Sequence, residues 1–267
     1  MAVPPKKPQV LPPVHPNAGV GAVYRSRLWR AIDAMNNSLD YWLSARWQED
    51  PRGAQRIITT MKELGRRWQS NFDELAPDVA GQWGGRAVAH TTQRMEQLLD
   101  QAGWTVEFKV SPEINVIMRA AVTENVGLIK SIAAQHLQRV EGLVMRNVQK
   151  GNDIHALQKE LREQFDLPKK RATLIAKDQT FKLNSVITKT RQTQAGIKRA
   201  HWMHSNITAP GHFRPEHLAF SRGKYTPGPS GPIYEVARGA YLEGRWTWPG
   251  FEINCRCSSR PVIEGFD

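Results

Sequence analysis

SPEINVIMRAAVTENVGLIKSIAAQHLQRVEGLVMRNVQKG, residues 111–151, is the most regular stretch of the chain and decides its class. Ser111 is a capping residue, and Pro112 follows at the first helical position, where its missing N–H costs nothing. Val122, Val126, Ile129, Ala133, Leu137, Val140, Val144 and Val148 then recur at steps of three and four. They form one apolar stripe, which Gly151 stops. Downstream, Asp153 caps a shorter helix through Ile154, Leu157, Leu161 and Phe165, ended by Pro168. A further helix is predicted from about Lys169 to Arg199. Upstream, helical spacing runs from Gly21 to Gln48, breaks at Pro51-Arg52-Gly53, and resumes through Ile57, Met61, Leu64, Trp68 and Phe72. Pro77 is expected to start a separate segment ending at Gly103, with Gly84-Gly85 as an interruption. Trp104 to Val110 alternates apolar with polar and reads as one short strand.

After Ala200 the periodicity stops, and glycine, proline, histidine and aromatic residues dominate. The predicted fold is mainly α. An extended Pro-rich arm (1–20) precedes an elongated helical body (21–200) and a compact C-terminal α+β module (201–267). The arm carries Pro4, Pro5, Pro8, Pro12, Pro13 and Pro16. It is expected to be either a disordered tail or a strap ordered on another subunit.

The 267 residues carry 37 Lys+Arg against 25 Asp+Glu, a net +12 that is unevenly spread. Residues 168–267 hold 16 basic and 7 acidic side chains, and residues 1–30 hold five basic and no acidic ones. Both ends therefore attract polyanions, which points to DNA or RNA held without sequence reading, with a merely solubilising surface as the alternative. Lys6, Lys7, Lys169, Lys170, Arg171, Lys198 and Arg199 are the candidate contacts. No apolar run approaches the ~20 residues of a membrane span, so no membrane partner is expected. The opening residues are prolines and lysines rather than an apolar stretch, which predicts no secretory signal. The tryptophans at 29, 42, 47, 68, 83 and 104 read as core or protein-interface anchors.

Two cysteines, Cys255 and Cys257, are too few for a disulfide framework. Residues two apart on an extended segment point the same way, so both sulfurs can face one point. Four histidines, His201, His204, His212 and His217, lie within 17 residues upstream. Two thiolates and one or two imidazoles suit structural zinc. His217, Cys255 and Cys257 are the first candidates, with His204 or His212 as the fourth ligand. The alternative is reduced core thiols beside hydrogen-bonded histidines. A metal-dependent nuclease, with His204, His212, His217 and Glu216 around an open metal, is the catalytic alternative. No phosphate-binding glycine loop or nucleophile elbow is present, and the predicted class is not an enzyme.

Arg214-Pro215-Glu216-His217-Leu218-Ala219, followed by Pro249-Gly250-Phe251-Glu252-Ile253-Asn254-Cys255-Arg256-Cys257, resembles the RPxH…NCRC signature of phage Mu protein F-like minor head proteins, the head morphogenesis family. Ile175 to Thr180, Arg191, Gly196-Ile197 and Trp202 to Ser205 are similar to the segments that lead into it. The resemblance implies a virion component of a tailed phage, at the portal vertex or inside the head, and in the host cytoplasm during assembly. Its implied partners are the portal protein, capsid or scaffold proteins, and packaged DNA.

Overall fold

The computed structural model describes residues 8–50, 53–151, 153–205, 213–225 and 231–263. Strand β1 (Gln9–Val10) precedes helices α1 (Ala18–Glu49), α2 (Ala54–Gln101), α3 (Pro112–Gln149), α4 (Ile154–Gln164) and α5 (Asp166–Gln194). The remainder supplies β2 (Arg199–Met203), α6 (Pro215–Ser221), β3 (Ile233–Glu235), β4 (Ala240–Leu242), β5 (Arg245–Thr247) and β6 (Ser258–Ile263). The chain is mainly helical with a small C-terminal strand region, as its periodicity predicts. Among the described residues no helix is long and apolar enough to cross a membrane.

The caps form as the sequence requires. The Ser111 hydroxyl accepts the Ile114 N–H at 3.3 Å. The Asp153 carboxylate accepts the N–H groups of His155 and Ala156, and Gly151 ends α3 at φ 111°. Four expectations differ. Pro77 lies inside α2 rather than at a helix start, and Gly84-Gly85, expected to interrupt that segment, lie within the same unbroken helix. A proline inside a helix forfeits a backbone hydrogen bond and costs about 3 kcal/mol. Around Pro77, Phe72, Ala76, Val79, Ala80 and Trp83 are all buried, and that packing outweighs the loss. Residues 104–110 are extended but join no sheet. Trp104, Val106 and Phe108 still face a core, so the alternation reports burial without a ladder. Helix α5 begins at Asp166 with Pro168 in its first turn, and stops at Gln194, where Gly196 turns at φ 75°.

Two compact units emerge, each discontinuous in sequence: Gly21–Trp83 with Val122–Ala176, and Met1–Val20 with Gly84–Ala121 and Lys177–Asp267. The partition thus crosses the sequence-based boundary at residue 200. In the first unit Leu28, Ile32, Met35, Leu39, Met61, Phe72, Ile129, Val140 and Leu157 are buried. Tyr24 stacks on Trp83 at 5.4 Å and donates its hydroxyl to Asn125 at 2.9 Å. His136 is fully enclosed here, with neither ring nitrogen bonded.

The second unit is built on a four-stranded antiparallel sheet, order β1-β6-β2-β3, with β4 and β5 as a separate hairpin. Trp202 on β2 is fully buried and meets His217, Phe220 and Tyr234 edge-on at 5.0, 5.7 and 5.9 Å. The described part of the N-terminal arm corrects the expectation of a tail or of a strap on another subunit. It is a strap on its own chain. Gln9 and Val10 pair with Ile263 and Val262, and Leu11 and Val14 enter the core. The Leu11 carbonyl accepts from Arg260 Nε at 3.1 Å, and the Val14 carbonyl accepts from Asn184 Nδ2 at 2.9 Å. Extended, proline-spaced chain forms no internal hydrogen bonds, so its backbone groups must find partners outside the segment.

Two outcomes are expected. Leu11→Ala should destabilise the protein by about 2–4 kcal/mol in urea unfolding followed by circular dichroism. Burial, with a smaller push from Arg139, lowers the His136 pKa from its ordinary 6.5 to about 4. Between those values the unfolded chain binds the extra proton. Stability should therefore be complete above about pH 6.5 and fall by about 2–3 kcal/mol towards pH 4. His136→Leu should flatten that part of the pH–stability profile.

Candidate functional site

The site lies wholly in the second unit, where α6 meets the segment before β6. Arg214 precedes α6 in an extended conformation, and Pro215 and Glu216 form the first turn. His217 and Phe220, three residues apart, share the buried face of this short helix. Opposite them the chain turns at Gly250, φ 84°, where a Cβ would stand 3.0 Å from the Cys257 carbonyl oxygen. Asn254 adopts φ 59°, a left-handed conformation that asparagine tolerates better than most residues. That turn sets Cys255 and Cys257 side by side.

His217 Nδ1 lies 3.6 Å from Cys255 Sγ and 3.9 Å from Cys257 Sγ. The three donor atoms fall within 4.8 Å of one another. Their residues are 1%, 6% and 5% exposed. Both cysteines are reduced. Hydrogen bonding from Cys257, assisted by His217 and by the Cys257 backbone N–H, pushes the Cys255 thiol down to about 4 against the effect of burial. Cys257 is pushed up, first by its hydrogen bond to Cys255 and then by burial; the Trp202 side chain and the Ser205 backbone act the other way.

The other signature residues fix this geometry. Arg214 donates from Nε to Glu243 at 3.1 Å and from Nη1 to the Ile253 carbonyl at 3.1 Å. Glu216 accepts the Glu243 N–H at 2.6 Å and the Tyr225 hydroxyl at 3.0 Å. Asp178, on α5, accepts the Asn254 N–H at 2.5 Å. Glu252 accepts from Thr247 Oγ1 and Arg245 Nε, each at 3.0 Å. Glu216, cast from sequence as a base in the nuclease alternative, thus holds the β4–β5 turn.

Of the sequence candidates, His217, Cys255 and Cys257 come together. His204 is 7% exposed and packs edge-on against Phe213 at 6.2 Å. Burial holds its pKa below the ordinary imidazole value, opposed by Cys255 and reinforced by His217 and Arg222. Its ring lies outside the three-atom cluster. His212 falls outside the described residues, as do Lys6 and Lys7. His201 stands apart on β2, opposite Arg260. Lys169 pairs with Asp33 at 2.5 Å and Arg171 donates to Ser131 at 2.8 Å, both within the first unit, so these two cations are engaged by their own chain. Lys170, Lys198 and Arg199 are exposed.

The roles of Asp178 and Arg214 carry no local sequence signal, because each acts through a backbone or side-chain partner far along the chain. A buried polar stripe on α5 also escapes sequence reading. Thr180, Asn184, Thr188 and Gln192 recur every four residues, and all are buried. Such a stripe reads as a solvated face. Its spacing on a helix that also carries an apolar face was the available hint.

Residues 138–260 match the model of the Phage Mu protein F like family. The matched range contains α5, α6 and both cysteines, and it bears out the resemblance read from the signature. This part of the chain is therefore similar to the Phage Mu protein F like family. An uncharacterized protein of Haemophilus influenzae is 28% identical over 250 residues, covering 90% of this chain and 53% of that protein. The chain thus spans about half the length of that curated relative. No solved structure matches.

Arg214→Ala should destabilise the protein by about 1–3 kcal/mol, since it removes an ion pair and a bond to a carbonyl beside the cysteines. Arg214→Lys should recover less than half of that loss, because one ammonium lacks the guanidinium fork. Urea unfolding of the three proteins checks both outcomes.

Proposed function

We propose that this protein is a minor head protein of a tailed phage, a building part of the head that contacts the portal and holds packaged DNA without reading its sequence. One observation carries the reading: within the matched range the signature side chains turn inward onto their own backbone. Arg214, Glu216 and Asp178 all hold loop atoms, and the imidazole and thiols are shut from solvent. A catalyst needs a reacting atom within reach of substrate. A construction element needs a fold that survives assembly, and these bonds serve that need.

The first unit offers a surface suited to the portal protein. Tyr41, 65% exposed, meets Trp42 edge-on at 5.1 Å, and Arg46 covers the Trp42 ring at 5.9 Å. Aromatic and arginine side chains dominate the energetics of protein interfaces. The excess of basic residues beyond 168, with Lys170, Lys198 and Arg199 exposed, supports non-specific phosphate contact.

Portal protein should be retained by the wild-type chain and lost, by tenfold or more in affinity, with Tyr41→Ala/Trp42→Ala. Equal retention would remove this surface from the proposal. Binding to duplex DNA should weaken steeply with added salt and differ little between sequences. Plasmid incubated with the protein and Mg²⁺, Mn²⁺ or Zn²⁺ should stay intact. Cleavage abolished by His217→Ala would replace the structural reading with the nuclease.

A further inference from the structure

We propose that His217, Cys255 and Cys257 are three ligands of a closed, structural zinc site, and that His204 supplies the fourth. The cluster is crowded in a way that hydrogen bonding alone does not explain. One imidazole nitrogen faces two sulfurs, at 3.6 and 3.9 Å. A ring nitrogen has a single in-plane lone pair, so it accepts one good hydrogen bond, not two.

A tetrahedral zinc ion at the centre of the cluster accounts for both distances. With Zn–N of about 2.05 Å and Zn–S of about 2.3 Å, ligand atoms at the tetrahedral angle stand about 3.6 Å apart for N and S, and about 3.8 Å for two sulfurs. The observed separations fit that arrangement with little adjustment. Two thiolates and two neutral imidazoles also match zinc in ligand type. The ion would neutralise both sulfurs, a buried charge that the surrounding apolar residues cannot offset.

Part of the second layer fits a metal as well, although His217 Nε2 is buried without a hydrogen-bond partner. The Cys257 backbone N–H is directed at Cys255, and the Ser205 backbone N–H at Cys257. N–H groups aimed at sulfur stabilise thiolate ligands. Arg214 and Asp178 grip Ile253 and Asn254, the two residues before Cys255. Trp202 presses edge-on against the His217 ring and keeps it dry.

His204 is the remaining candidate on position. It adjoins Ser205, it is buried, and it interacts electrostatically with both Cys255 and His217. Its ring lies outside the cluster, so ligation requires the imidazole to turn inward. The buried, four-ligand arrangement leaves no open position, which marks the site as structural rather than catalytic. Zinc would join α6 to the segment leading into β6 and contribute folding energy to the second unit.

The full chain, purified without chelators, is analysed for metals and then reconstituted with Co²⁺. One zinc per chain is expected, together with thiolate-to-cobalt charge-transfer absorption and the strong visible bands of tetrahedral Co²⁺. Cys255→Ser/Cys257→Ser should lose the metal and the charge-transfer band. His204→Ala should keep that band but bind zinc on the order of tenfold or more weakly, with altered visible bands. Wild type that is free of zinc and gives no thiolate–cobalt band overturns the site, whatever the variants do. Unchanged affinity and visible bands in His204→Ala overturn the fourth ligand and leave a three-ligand site. Neither result bears on portal or DNA binding, so this inference and the proposed function fail separately.

Discussion

The buried polar face of α5 is the constraint on which the second unit depends. A helix satisfies its own backbone, so its side chains are free to satisfy someone else's. Asn184 takes the Val14 carbonyl of the strap while accepting from Thr91 on α2. Ser185 donates to the Pro249 carbonyl at 2.6 Å, and Asp178 receives the Asn254 N–H. Gln192 exchanges bonds with Ser259 on β6, and Arg191 reaches the Lys109 carbonyl at 3.1 Å. Three irregular segments and the inner strand β6 thus place hydrogen bonds on one helix. Without it, the buried carbonyls of Val14 and Pro249 would each carry a desolvation penalty of about 1–3 kcal/mol.

This arrangement explains how a unit with short strands holds a defined loop. The segment from Pro249 to Cys257 has little regular structure of its own, yet both of its ends are anchored to α5 or to β6. Arg214 and Glu216 add a second set of ties from the opposite side, through Ile253 and Glu243. The two cysteines are therefore presented to His217 by a frame of bonds to backbone atoms, which tolerates little sliding. The proposed role as a part of a larger assembly asks for that kind of rigidity, and the proposed zinc would add to it.

How much of this is legible in the sequence depends on the range of the interaction. The 111–151 helix was readable because every determinant is local: a capping serine, a proline at the first position, an apolar stripe and a terminal glycine. The pairing of Cys255 with Cys257 was readable from their spacing, and His217 from its place in the signature. Pro77 misled because a helix-breaking signal of about 3 kcal/mol is local, whereas the packing that overrides it is not. Residues 104–110 misled because alternation marks one buried face and is silent about a partner strand. The arm misled because a proline-rich segment has no core of its own, and nothing in its residues says whose surface it covers.

The sequence by itself determined the helical class, most helix ends, the thiol pair and the family signature, because these follow from near neighbours and fixed periods. The tertiary structure alone decided that the strap folds back onto its own chain and that a polar helix face is buried. It also placed one imidazole against both sulfurs. Those outcomes depend on contacts between residues as far apart as Leu11 and Arg260. Such contacts arise only when distant segments compete to cover the same core and to satisfy the same backbone groups.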